Sequence, residues 1–130
     1  MFLFLILFLF LQVFSQSQSN VDRNIQLRSD IRSILEEKDT TEISLNILVN
    51  FEWDKAFLFI PYTSYMDIEE TIGTKFMGST DQFIGEYYLL IFLNNDKVVH
   101  YVELPYEPKL SIEQQRYLTP TDDLIKIERE

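Results

Sequence analysis

The sequence predicts an α+β fold in which two helices pack on an antiparallel sheet of four to five strands within a single domain. Three stretches carry the prediction. Phe51 to Gly73 passes through strand, turn and helix signals without a gap, Glu86 to Leu104 reads as a hairpin about Asn95-Asp96, and Ile43 to Phe51 alternates in the period of a strand.

The chain opens on Met1 to Phe14, almost entirely Phe, Leu and Ile with a single Gln, followed by the polar Ser15 to Ser19. This apolar run fits an export signal and falls short of the roughly 20 residues a spanning helix needs. Residues 1–15 are therefore expected to be a signal peptide cleaved after Ser15, leaving 16–130 as one α+β domain. Because no Lys or Arg precedes the run, an uncleaved anchor is the alternative. The protein is accordingly expected to be exported, periplasmic or extracellular, with no membrane contact once the signal is removed.

Cysteine is absent, which excludes disulfides, thiolate metal sites and a thiol nucleophile. Lys and Arg number 11 against 21 Asp and Glu, a net charge of -10 that falls wholly outside the leader. That sign disfavours nucleic acid and anionic lipid as partners. An acidic surface that keeps the domain dissolved is one reading of it; an acidic face for a basic partner is the other.

Asn20 to Lys38 places Leu27, Ile31, Ile34 and Leu35 on one helical face, with Asn20 as the expected cap. Glu36 and Glu37 oppose the helix dipole at its far end. Ile43, Leu45, Ile47, Val49 and Phe51 then alternate as a half-buried strand. Phe57 to Ile60 is an apolar strand closed by Pro61. Ser64 is the expected N-cap of a helix starting at Tyr65, with Ile68 and Ile72 facing inward and Gly73 as the left-handed stop. Thr74 to Gly85 is an expected exposed loop. A two-residue turn at Asn95-Asp96 sets Leu93 opposite Val98, Ile91 opposite His100, Leu89 opposite Val102 and Tyr87 opposite Leu104. In the tail, Thr119 to Asp122 reads as a turn and Leu124, Ile125 and Ile127 as a short edge strand.

No catalytic or metal-ligating set emerges, and no cofactor is expected. The only histidine, His100, falls among apolar neighbours, and Glu52-x-Asp54, Glu69-Glu70 and Asp122-Asp123 lack the separation that paired acid and base carboxyls need. With three glycines, the chain has little room for a phosphate cradle. Trp53, Tyr62, Tyr65, Tyr87, Tyr88, Tyr101, Tyr106 and Tyr117 remain as contact candidates, since amphipathic rings are favoured at protein interfaces.

Trp53-Asp54-Lys55, Pro61-Tyr62-Thr63-Ser64, Ile68-Glu69 to Gly73 and the later hairpin occur in an order that resembles a family of small exported bacterial proteins of uncharacterised function. The likeness covers roughly half the chain. It departs from the family at Ile60 and Asp96, at or near turns where members carry glycine. The candidate binding residues are Trp53, Asp54, Lys55, Tyr62, Thr63 and Ser64. The expectation is a non-catalytic exported protein that binds an unknown protein partner. An inhibitor or immunity-type protein for a basic enzyme surface is the alternative, and a small hydrolase built on Asp54 and His100 the third class.

Overall fold

A computed structural model describes residues 22–76, 82–113 and 116–129. The expected leader, its cleavage point and the Asn20 cap lie outside the described residues, as do positions 77–81 of the expected loop. Strands β1 (Asp22–Arg23), β3 (Lys55–Phe59), β4 (Tyr87–Asn94) and β5 (Lys97–Pro105) form the first sheet, in the order β1-β5-β4-β3. Its β5-β4-β3 part is antiparallel, and the two-residue β1 joins parallel to β5. Strands β2 (Glu42–Ser44), β6 (Lys109–Ser111) and β7 (Leu124–Glu128) form a second, antiparallel sheet in the order β2-β7-β6. Helices are α1 (Ile25–Glu36), α2 (Leu45–Leu48) and α3 (Tyr65–Ile72).

The α+β class thus holds, whereas two helices on a single sheet of four to five strands do not: the described residues form three helices and two sheets, each with three antiparallel strands. The division follows from which faces of β4 are apolar. Tyr88, Leu90 and Phe92 point one way, joined by Val102 and Leu104 of β5, and pack with Leu27, Ile31 and Leu35 of α1 and with Ile43, Leu110, Ile125 and Ile127 of the second sheet. Leu89, Ile91 and Leu93 point the other way, joined by Phe57 and Phe59, and are covered by Ile68 and Ile72 of α3 together with Phe76 and Ile84. A strand covered on both faces needs a continuous apolar run, and β4 has one.

Four expectations are corrected locally. Helix α1 starts at Ile25 and not before, with Asn24 as its cap: the Asn24 Oδ1 accepts from the Leu27 N–H at 2.9 Å. The strand expected from Ile43 to Phe51 stops at Ser44 and turns into α2, since the Asp123 carboxylate accepts from Ser44 Oγ at 2.6 Å and from the Asn46 N–H at 2.9 Å. That distant acid satisfies a helix N-terminus which Ser44 does not cap itself. In the hairpin the register holds only at Leu93 with Val98. A bulge follows, placing His100 opposite Phe92, Tyr101 opposite Ile91, Val102 opposite Leu90 and Leu104 opposite Tyr88. The extra residue moves Val102 and Leu104 onto the face that α1 covers and leaves Tyr101 and Glu103 on the other. Finally, Leu124 to Glu128 is the central strand of the second sheet and not an edge.

Helix α3 follows its sequence closely. Ser64 Oγ accepts from the Asp67 N–H at 3.1 Å, Gly73 has φ 78°, and Ile68 and Ile72 are buried.

Candidate functional site

The six candidate residues occupy opposite ends of β3. Its five residues, at roughly 3.3 Å each, keep Trp53, Asp54 and Lys55 roughly 15 Å or more from Tyr62, Thr63 and Ser64. They form two corners and not one surface.

The corner before β3 is built into the fold. Trp53 is buried, its ring edge-on to Phe92 at 5.4 Å. Asp54 donates its N–H to the Leu93 carbonyl at 2.9 Å and accepts from the Asn95 N–H through Oδ2 at 3.0 Å, holding the hairpin turn against the start of β3. Asn95 and Asp96 both adopt positive φ, 51° and 64°. Lys55 stands 4.0 Å from Asp96 Oδ1 and 5.5 Å above the Tyr117 ring. These side chains are occupied in closing the turn.

The corner after β3 pairs the same way but leaves its side chains outside. The Tyr62 N–H donates to the Gly85 carbonyl at 3.1 Å, the Ile84 N–H to the Thr63 carbonyl at 2.9 Å and the Tyr65 N–H to the Gln82 carbonyl at 3.0 Å. Thr63 Oγ1 donates to the Ile60 carbonyl at 2.6 Å, and Ser64 is the α3 cap. Tyr62 sits at φ 66°, a left-handed conformation that an aromatic residue rarely adopts. That twist aims its ring outward, with the hydroxyl donating to Glu86 Oε2 at 2.9 Å. This hydrogen bond, then partial desolvation and the charges of Glu86 and Tyr106, push the phenol above its ordinary range, so it remains a neutral donor.

Five exposed apolar side chains lie on the segments next to or paired with the Tyr62 corner. Ile60 is 66% exposed, Tyr62 60%, Phe83 51%, Tyr106 50% and Met66 73%. Phe83 bridges to Ser64, Tyr106 follows the Pro105 that pairs with Tyr87, and Met66 lies in the first turn of α3. Tyr106 and Glu107 also line a groove of about 760 Å³ together with Lys38, Lys109, Glu128 and Arg129. The sequence singled out Tyr62 and Tyr106 as contact candidates but passed over Ile60, Met66 and Phe83, which read as strand, helix and loop residues until the backbone pairing joins them.

His100 stacks on Phe51, with ring centroids 4.0 Å apart and planes at 30°, on the face of the first sheet opposite the one expected. Asp54, its expected partner in a hydrolase, directs Oδ2 to Asn95. Among the described residues no group of three or more His, Asp and Glu is placed to hold a metal ion. No helix among them is long and apolar enough to cross a membrane. No family model, curated protein or solved structure matches the chain.

Proposed function

We propose that this chain is an exported, non-catalytic binding protein whose contact surface is the end of the first sheet around Tyr62. The observation that carries the reading is the gathering there of Ile60, Tyr62, Phe83 and Tyr106, each at least half exposed, on a backbone fixed by main-chain hydrogen bonds. Soluble proteins rarely keep a contiguous apolar patch uncovered unless something docks on it. Tyrosines suit such a surface, because each offers a large apolar ring and a polar tip at small entropic cost. Of the six candidate residues, Tyr62 and Thr63 belong to this surface, Ser64 supports it as a helix cap, and Trp53, Asp54 and Lys55 serve the opposite corner.

The test places a photo-crosslinking amino acid at Phe83 in the producing cell, with Ile47 as the control. Ile47 is 83% exposed and belongs to α2, outside the segments that form the patch. A discrete protein adduct formed from position 83 and not from position 47 is the expected result. No adduct at position 83, or the same adducts from both positions, would remove the reading.

A further inference from the structure

We infer that the partner presents a basic segment, with lysine or arginine side chains interspersed with apolar ones, to the Tyr62 end of the first sheet. The inference rests on the binding reading above and adds the chemistry of the occupant. Its basis is a one-sided distribution of charge. Residues 56–74, 82–95 and 98–108 build β3 after its first residue Lys55, α3, β4, most of β5 and the exposed end itself; they contain Asp67, Glu69, Glu70, Glu86, Glu103 and Glu107 and not one Lys or Arg, and Lys55, Lys75, Lys97 and Lys109 border them. All 11 basic side chains of the protein lie in the remaining segments.

Three of those acids already have partners, and that of Glu86 is the neutral Tyr62 hydroxyl. Glu103 pairs with Arg23 at 2.7 Å, and Glu69 accepts from the Phe76 N–H at 2.6 Å. Asp67, Glu86 and Glu107 are exposed; Asp67 follows Met66, Glu107 follows Tyr106, and Glu86 meets the Tyr62 hydroxyl. Of the cations that border this end, Lys109 pairs with Glu128 at 3.3 Å and Arg129 donates to the carbonyls of Leu35, Glu37 and Thr40, while Lys38 lines the groove with Tyr106 and Glu107 and Lys75 the hollow beside Met66. The patch therefore offers apolar area, two exposed phenol rings and the carboxylates of Asp67, Glu86 and Glu107, which form no ion pair among the described residues. A lysine or arginine of a partner would gain the field of Glu86 and Glu107 and the faces of Tyr62 and Tyr106 together. An acidic or purely apolar partner would gain neither.

The test titrates isotope-labelled protein, followed by two-dimensional NMR, with two synthetic peptides of equal length, one alternating leucine with lysine and the other leucine with glutamate. The lysine peptide is expected to shift signals of Ile60 to Asp67, Gln82 to Tyr87 and Pro105 to Glu107, and the glutamate peptide to leave them in place. Raising salt from about 0.1 M to about 1 M shortens the screening length from about 10 Å to about 3 Å and should weaken the lysine peptide at least tenfold. The Glu86→Gln/Glu107→Gln variant should weaken it about five- to tenfold. Equal shifts with both peptides at that end would overturn the basic partner while leaving the binding surface standing. Shifts spread evenly over Glu36, Glu37 and Asp122 would also overturn it, as plain charge attraction. Concentration-dependent shifts of the same residues without peptide would replace the basic segment by a second copy of the chain. No shift at that end with either peptide would remove both the inference and the surface.

Discussion

Asp54, a contact candidate in the sequence, also has a structural task. Its carboxylate meets the Asn95 N–H from across the strand, so the aromatic-Asp-Lys corner closes the hairpin turn. Replacing it with Ala is expected to cost about 1–2 kcal/mol, the scale of a lost charge-assisted hydrogen bond, read as a lower denaturant midpoint. A midpoint unchanged in Asp54→Ala would detach Asp54 from the turn. The turn itself was legible, because short polar residues tolerate the positive φ that Asn95 and Asp96 adopt. Tyr62 was not legible in that respect: nothing in Pro-Tyr-Thr-Ser announces a left-handed tyrosine, and the conformation depends on pairing with Gly85. Tyrosine titration gives a second residue-scale expectation. Burial first of all raises Tyr87 and Tyr101 above 10.0, and the Glu86 hydrogen bond raises Tyr62. A folded-state value above the unfolded one means that the folded chain holds the proton more tightly. The stability this contributes is complete below pH 10 and is lost as pH rises through the folded values. Phenolate absorbance and unfolding should therefore rise together on the alkaline side, with titration of free tyrosine preceding that of the folded protein.

At the level of elements, what the sequence hides is partnership across long separations. Alternation over Ile43 to Phe51 is a fair strand signal, yet Asp123, 79 residues from Ser44, captures the start of a helix instead. The end of α1 is a parallel case. Glu36 and Glu37 oppose the dipole there, and Arg129 answers them by donating to the carbonyls of Leu35, Glu37 and Thr40 at 3.1, 2.7 and 2.8 Å. Truncation in Arg129→Ala should cost about 1–3 kcal/mol and speed amide exchange in the last turn of α1. Unaltered exchange there would show that the turn stands without it. Both devices join helices to the last strand, and neither has a local signature. The hairpin bulge is hidden for a related reason: either register buries apolar residues, and only packing against α1 decides that Val102 and Leu104 face it. By contrast, α3 was legible from end to end, since its cap, stripe and stop all lie within ten residues of one another.

Across the whole molecule, the first sheet is the common wall of two cores, and its two ends have different fates. The hairpin end is closed by Asp54, Lys55 and Tyr117, whereas the Tyr62 end keeps Ile60, Phe83 and Tyr106 outside both cores. The sequence could show that β4 is apolar on both faces. It could not show the second sheet, because β2 and β6 are three residues each and too short to carry a pattern. Nor could it show the patch, whose members come from four separate segments; the absence of Lys and Arg over 56–74 and 98–108 was its one readable sign. On the proposed reading, the Tyr62 end is maintained for contact and not for folding. The most direct measurement is the unfolding free energy of Ile60→Ser/Phe83→Ser against wild type in denaturant. A loss of no more than about 1 kcal/mol is predicted, because both side chains are at least half exposed. A loss of about 3 kcal/mol or more, the scale of a core truncation, would place them in the core and contradict the account.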